Sequence, residues 1–176
     1  MAIPHAVLVG PPGAGKSTIA RRLARALDLP MTDTDELIEQ LYGKPCGEVF
    51  AQLGEQEFRA VEATQVQKAL QKPGIISLGG GAVTTDSVRE LLNDQTVIWL
   101  DVSAEEGVRR TQGNNSRPVL AAADPLARYE ELLSRRKSLY SEVSDYRIRT
   151  DKRSPQQTVA DILGVISDLD DSEYTA

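Results

Sequence analysis

Residues Gly10-Pro11-Pro12-Gly13-Ala14-Gly15-Lys16-Ser17 spell G-x-x-x-x-G-K-S directly behind the apolar run Ala6-Val7-Leu8-Val9 and ahead of a helix-forming run from Ile19 to Leu27. A strand that passes through such a loop into a helix is a P-loop. Its glycines let the backbone curl so that N–H groups point inward at phosphates, and the helix adds the positive end of its dipole. In that arrangement Lys16 reaches the β- and γ-phosphates and Ser17 offers its hydroxyl to Mg²⁺. A glycine-rich turn that binds nothing is the bland alternative, and the flanking strand and helix argue against it.

Strand-like runs recur between helical stretches at Ala6–Val9, Pro30–Thr32, Ile75–Leu78, Thr96–Val102 and Tyr146–Thr150. This alternation predicts an α/β fold, a parallel sheet with helices on both faces. Helices are expected near Lys16–Leu27, Asp35–Tyr42, Gly47–Leu53, Glu55–Gln71, Thr85–Leu92, Ala104–Gln112, Pro125–Val143 and Pro155–Leu169. The chain of 176 residues suits one α/β domain, so any substrate-binding region is expected as an insertion in it. The segment from about 112 to 124, polar and punctuated by Gly113 and Pro118, reads as a lid or as an ordinary surface connection. The acidic tail, about 168 to 176, is expected to fray.

The net charge of −6 and scattered basic residues argue against a nucleic-acid partner. Cys46 is the only cysteine, and the first residues carry no charged-then-apolar leader pattern, so a cytoplasmic home is expected. No apolar run approaches the length of a membrane span. His5, the only histidine, sits beside the first strand and reads as structural.

Open parallel sheets bind ligands at the carboxyl ends of their strands. There the chain places Asp33-Thr34-Asp35, Gly79-Gly80-Gly81 and Asp101. Asp33 and Asp35 suit a hard cation and a hydroxyl nucleophile, although Asp33-x-x-Glu36 also has the shape of a capping box. Asp101 ends a strand of the kind whose aspartate often holds Mg²⁺. Ser103-x-x-Glu106 follows as a capping-box signature, which assigns Asp101 to the strand-to-helix turn. Three consecutive glycines cost backbone entropy, and close approach of backbone N–H groups to a ligand is a reason to accept it.

In the Pro125–Val143 stretch, Leu126, Tyr129, Leu132, Leu133, Leu139, Tyr140 and Val143 form one stripe at about 100° per residue, with Arg136 in its middle. A guanidinium there needs a partner, whether an internal acid or a bound anion. On the Glu55–Gln71 stretch, Phe58, Val61, Val66 and Ala69 define the inner face; Glu62 falls within it and can hold Arg59 one turn earlier. Together Arg59 and Arg136 suit bidentate recognition of a carboxylate or phosphate. Arg117, in the expected lid, could swing onto transferring phosphates. Arg110 and Arg153 are on spacing alone indistinguishable from solvated surface charges. A small hydroxy acid is the implied acceptor. A gluconate kinase-like enzyme fits that description, and a nucleotide-dependent switch module fits the P-loop alone.

With these residues in hand, the chain closely resembles bacterial shikimate kinases. The shared features are Gly10–Ser17, Asp33-Thr34-Asp35, Gly54-Glu55-Gln56-Glu57-Phe58-Arg59 with Glu62, Ser77 through Val83, Arg117-Pro118, and Arg136 with Leu139-Tyr140, spread from about Val7 to Ile166. The resemblance implies a three-layer P-loop kinase fold related to nucleoside monophosphate kinases. It has a five-stranded parallel sheet, a substrate-binding insertion over roughly Asp33 to Glu62 and a mobile lid. It implies ATP-dependent phosphorylation of shikimate at its 3-hydroxyl, a step of chorismate and aromatic amino-acid biosynthesis, with one Mg²⁺ ion and no nucleic-acid or membrane partner, by an enzyme expected to be a monomer. Residue by residue it implies that Gly13, Ala14, Gly15, Lys16, Ser17 and Thr18 bind ATP phosphates and that Ser17 ligates Mg²⁺, with Asp33 acting through water. Asp35 orients or deprotonates the hydroxyl, while Arg59, Arg136 and the backbone at Gly79, Gly80 and Gly81 hold shikimate. Arg117, Arg153 and Arg110 contact ATP, with Lys16, Asp35 and Arg117 the catalytic set.

Overall fold

A computed structural model describes residues 4–112 and 123–173. Much of the expected lid, including Arg117, lies outside them. Five parallel strands form one sheet: β1 (Pro4–Val9), β2 (Met31–Asp33), β3 (Gly74–Ser77), β4 (Val97–Asp101) and β5 (Tyr146–Arg149), in the order β2-β3-β1-β4-β5. Among the described residues the helices are α1 (Lys16–Ala26), α2 (Thr34–Tyr42), α3 (Cys46–Leu53), α4 (Glu55–Ala69), α5 (Asp86–Leu92), α6 (Ala104–Thr111), α7 (Pro125–Val143) and α8 (Pro155–Glu173), with a 3-10 turn at Ala82–Thr84.

Strand β1 is central because both of its faces are apolar. Ala6 and Leu8 point into a core built with Ile19, Ala20 and Leu23 of α1 and Val159 and Ile162 of α8. Val7 and Val9 alternate onto the other face, against Val66 and Ala69 of α4, Val88 and Leu92 of α5 and Tyr140 of α7. A strand buried on both sides must be apolar at every position, which is what parallel sheets under two helical layers require. Val7 pairs with Ile76 on one side and with Val97 on the other. The carboxyl ends of β1, β2, β3 and β4 therefore come out at one edge of the sheet, and the motif residues come out with them.

Helices α2, α3 and the first turns of α4 stand beyond that edge on a core of their own, in which Ile38, Val49 and Phe58 are buried and Tyr42, Phe50 and Val61 are partly covered. The substrate-binding insertion expected over roughly Asp33 to Glu62 falls on this helical group.

Three expectations are corrected. Leu126 was placed on the inner stripe of α7 but is exposed; it lies in the first turn, before the helix reaches the sheet. The stretch expected to fray from Asp168 continues helically through Glu173. The Ser103-x-x-Glu106 capping box is only half formed. Ser103 Oγ accepts from the Glu106 N–H, but the Ser103 N–H donates to Asp151 and the Glu106 carboxylate turns instead to Arg109 and Arg110. A carboxylate on the β5–α8 turn competes for the orphan N–H, and no local pattern reveals that.

The small insertion core is expected to melt ahead of the sheet. Ile38→Ala should cost about 2–5 kcal/mol in urea unfolding. In native-state hydrogen exchange, amides of α2 and α3 should lose protection while those of β1, β3 and β4 keep theirs. Uniform loss across the sheet would show that the insertion does not unfold separately.

Candidate active site

The loop between β1 and α1 keeps its curve through Gly15, whose φ of 92° is left-handed and which serves as N-cap of α1. Lys16 is buried rather than solvent-facing, and its Nζ donates to Pro11 O at 3.0 Å within the same loop. Ser17 Oγ donates to Asp33 Oδ2 at 2.5 Å. Asp33 closes β2 with no intervening loop, and its other oxygen accepts the N–H groups of Asp35 and Glu36. One carboxylate oxygen of Asp33 thus caps α2 while the other faces Ser17. Glu36 pairs with Arg21 rather than reaching back as a capping box needs.

Asp101 is buried but turned away from the loop. It accepts Arg147 Nη2 at 2.5 Å and Arg149 Nη1 at 3.0 Å on β5, while Arg147 stacks over the Trp99 ring at 4.5 Å. Its assignment away from a metal role agrees with this geometry.

On α4, Arg59 Nη1 donates to Glu62 Oε1 at 2.7 Å. This is no surface pair, since only 15% of the Arg59 side chain and 2% of Glu62 are accessible. The Arg59 guanidinium also lies against the Phe50 and Phe58 rings. Burial pushes the Glu62 carboxyl above its ordinary range, while Arg59 opposes the shift.

Close approach explains the glycine triplet, and the approaching groups are side chains of this same site. A Cβ on Gly79 would stand 2.6 Å from Asp35 Oδ1 and 2.8 Å from Glu62 Oε2, and one on Gly81 would stand 2.2 Å from Arg59 Nη2. The triplet is pinned rather than loose: the Gly79 N–H donates to Thr34 Oγ1 and Gly80 O accepts from the Tyr140 hydroxyl at 2.5 Å.

Helix α7 carries Arg136 to the same cleft and, one turn further on, the buried phenol of Tyr140. Burial pushes that phenol up to about 12, so it stays protonated at any working pH. Eleven residues earlier on the same helix, the Tyr129 hydroxyl donates to Pro12 O at 2.6 Å. Sequence reading placed both tyrosines on an apolar stripe and missed their hydroxyls. The available signal was that a buried phenol needs a hydrogen-bond partner.

Arg110 is more constrained than a solvated surface charge. Its guanidinium donates to Gly13 O at 3.3 Å, to Thr150 O at 2.9 Å and to Glu106 at 2.8 Å, and so braces the loop from behind. Hydrogen bonding from Arg109 is the main reason that the Glu106 carboxyl is held down to about 2. Arg153 pairs with Asp161 and stays partly exposed.

A cleft of about 780 Å³ runs from the loop to the insertion. Gly13, Ala14, Gly15, Lys16, Ser17 and Thr18 line one end, and Arg110 and Arg153 flank it. Asp35, Arg59, Glu62, Gly80, Gly81 and Arg136 line the other, with Asp33 between the two groups of residues. Among the described residues no cluster of three or more His, Cys, Asp or Glu could hold a metal. The two oxygens of Ser17 and Asp33 still fit a hard cation that takes its remaining ligands from phosphates and water.

A phosphate loop facing an arginine-lined pocket across one cleft, on a five-stranded parallel sheet of this order, defines a small P-loop kinase. Residues 12–167 match the family described as shikimate kinase. A shikimate kinase of Corynebacterium efficiens is 60% identical over 168 residues, 96% of this chain and 99% of that protein. One of Corynebacterium diphtheriae is 61% identical over 94% of this chain and 96% of that protein. The solved shikimate kinase of Acinetobacter baumannii in complex with shikimate superposes with a TM-score of 0.90 at 32% identity, covering 96% of this chain and 94% of that one. A gluconokinase of Sinorhizobium meliloti shares the fold alone, with a TM-score of 0.58 at 15% identity. The chain belongs to the shikimate kinase family.

The raised Glu62 carboxyl has a consequence for stability. A folded-state pKa above the ordinary 4.5 means the folded protein holds the proton more tightly than the unfolded chain. That contribution is fully present below 4.5 and is lost as pH rises through the folded value. Glu62→Gln, which stays neutral, should therefore gain in melting temperature relative to the parent as pH rises from 4.5 to 8. A parent that gains on the variant across that range would show the Arg59 pairing to outweigh burial.

Proposed function

We infer that this chain transfers the γ-phosphoryl group of ATP to the 3-hydroxyl of shikimate, giving shikimate 3-phosphate and ADP in aromatic amino-acid biosynthesis. The observation that carries the reading is the single cleft that joins Lys16 and Ser17 at one end to Arg59 and Arg136 at the other. The arginines suit the acceptor carboxylate, because a guanidinium fork matches its two oxygens. Gly80 and Gly81 give the ring room to approach the backbone. Asp35, two residues from the Asp33 that bonds Ser17, lies where an acceptor hydroxyl meets the phosphates, and it orients that hydroxyl or takes its proton.

In the transfer, the hydroxyl oxygen forms a bond to the γ-phosphorus while the bond from phosphorus to the β–γ bridging oxygen breaks, leaving ADP. Lys16 leaves Pro11 O for the phosphates and follows the charge that develops on them. The backbone of Gly13, Ala14, Gly15 and Thr18 cradles the phosphates, and Arg110 and Arg153 border the nucleotide. Arg117, outside the described residues, is proposed to close on the γ-phosphoryl group. One Mg²⁺ ion fits with Ser17 as a direct ligand and Asp33 through water, and when bound it neutralises phosphate charge.

Among the described residues no helix is long and apolar enough to cross a membrane. A cytoplasmic monomer acting on two small metabolites, without a nucleic-acid partner, is the proposed working form.

An ADP-release assay across shikimate, gluconate and nucleoside monophosphates tests the reading, and turnover should be confined to shikimate. Lys16→Ala should abolish turnover with the fold intact by circular dichroism. Arg136→Lys keeps the charge and removes the planar fork; shikimate KM should rise about tenfold, or about 1.4 kcal/mol, with little change in melting temperature. A falling melting temperature with an unchanged KM would make Arg136 an internal ion-pair partner instead.

A further inference from the structure

Helix α7 reaches both ends of the cleft through tyrosine hydroxyls that the functional reading does not use. Tyr129 and Tyr140 are both fully buried. Each hydroxyl donates to a backbone carbonyl outside its own helix: Tyr129 to Pro12 in the phosphate loop and Tyr140 to Gly80 in the glycine triplet. The two residues lie on one face of a continuous helix, eleven positions apart, or about 16 Å along the axis. Arg136 stands between them on that face.

Both rings are fixed by packing. The Tyr129 ring lies against Gly107 of α6, where a Cβ would come within 2.3 Å of it. The Tyr140 ring pairs with Trp99 of β4 at 5.8 Å between centroids. Removing either hydroxyl takes from its carbonyl the donor that the fold supplies there.

We propose that Tyr129 and Tyr140 are positioning residues that divide the site between them: Tyr129 registers the phosphate loop for the nucleotide, Tyr140 registers Gly80 for the acceptor, and α7 holds the two at a set separation. The proposal rests on the reading of Arg136 and the triplet as the acceptor side. It makes α7 a ruler between donor phosphate and acceptor hydroxyl, whose distance must be correct before transfer can occur.

The test removes one hydroxyl at a time and leaves each ring in place. With Tyr140→Phe, shikimate KM should rise about tenfold while ATP KM stays within about twofold of the parent. With Tyr129→Phe, the pattern should reverse: ATP KM rises and kcat falls, shikimate KM stays within about twofold, and calorimetry shows weaker ADP binding. A p-aminophenylalanine at either position restores a para donor and should return the affected constant toward the parent value. Where a phenylalanine variant does not fold, that weaker donor carries the test with the same split between substrates. Equal changes in both KM values, or a lower melting temperature with unchanged constants, would overturn the division and leave the tyrosines as packing residues. Turnover of shikimate by the parent enzyme tests the functional reading separately. A parent that ignores shikimate removes that reading, whereas a parent that uses it without the split removes only this one.

Discussion

A loop that turns its N–H groups inward to a phosphate must turn carbonyls outward into the protein, and each of those needs a donor that neither a strand ladder nor a helix supplies. The structure meets this need one carbonyl at a time. Pro11 O takes Lys16, Pro12 O takes Tyr129 and Gly13 O takes Arg110. Two of these three donors come from α6 and α7, about a hundred residues along the chain. The phosphate loop is consequently not a self-contained motif. Its shape depends on the packing of the second half of the molecule against the first, and the Lys16 contact is the only one of the three that the loop can make by itself.

The acceptor end obeys a related constraint, in which charge rather than backbone has to be matched. Asp35 and Glu62 crowd Gly79 and Arg59 crowds Gly81, and the absence of side chains at those two positions is what lets the charged groups come so close. Burial raises the Glu62 carboxyl, and Arg59 with Arg136 offsets the shift. Glu62 in turn fixes the Arg59 guanidinium against two phenylalanine rings, leaving a planar cation whose rotamer is set before any ligand arrives. Holding an arginine ready in this way reduces the ordering cost of binding an anion.

Much of this was legible in the residues because it depends on local periodicity. The strand-loop-helix at Gly10–Ser17, the alternation that predicts a parallel sheet and the i, i+3 spacing of Arg59 and Glu62 are short-range patterns with fixed geometric meaning. Asp101 could be set aside from its sequence surroundings, and its two arginine partners on β5 agree. Misreadings occurred where distant groups competed. Ser103-x-x-Glu106 has every local mark of a capping box, yet Asp151 takes the N–H and two arginines take the carboxylate. The triplet was attributed to a ligand's approach, and Asp35, Glu62 and Arg59 approach it as well, which no local pattern shows. Tyr129 and Tyr140 counted as apolar, because a hydropathy stripe does not register where a hydroxyl finds its partner.

By itself the sequence determined the class of fold, the nucleotide loop, the two arginines and the family to which they belong, since each follows from spacing within one element or from an ordered set of motifs. Only the tertiary structure decided which carbonyls those side chains hold, that Asp33 serves helix and loop with separate oxygens, and that one helix reaches both ends of the cleft. The physical reason is that a hydrogen bond needs its donor and acceptor within about 3 Å. Pairs such as Tyr129 with Pro12 and Tyr140 with Gly80, 117 and 60 residues apart, reach that distance only when the sheet has brought its strands into register and α7 has packed across them.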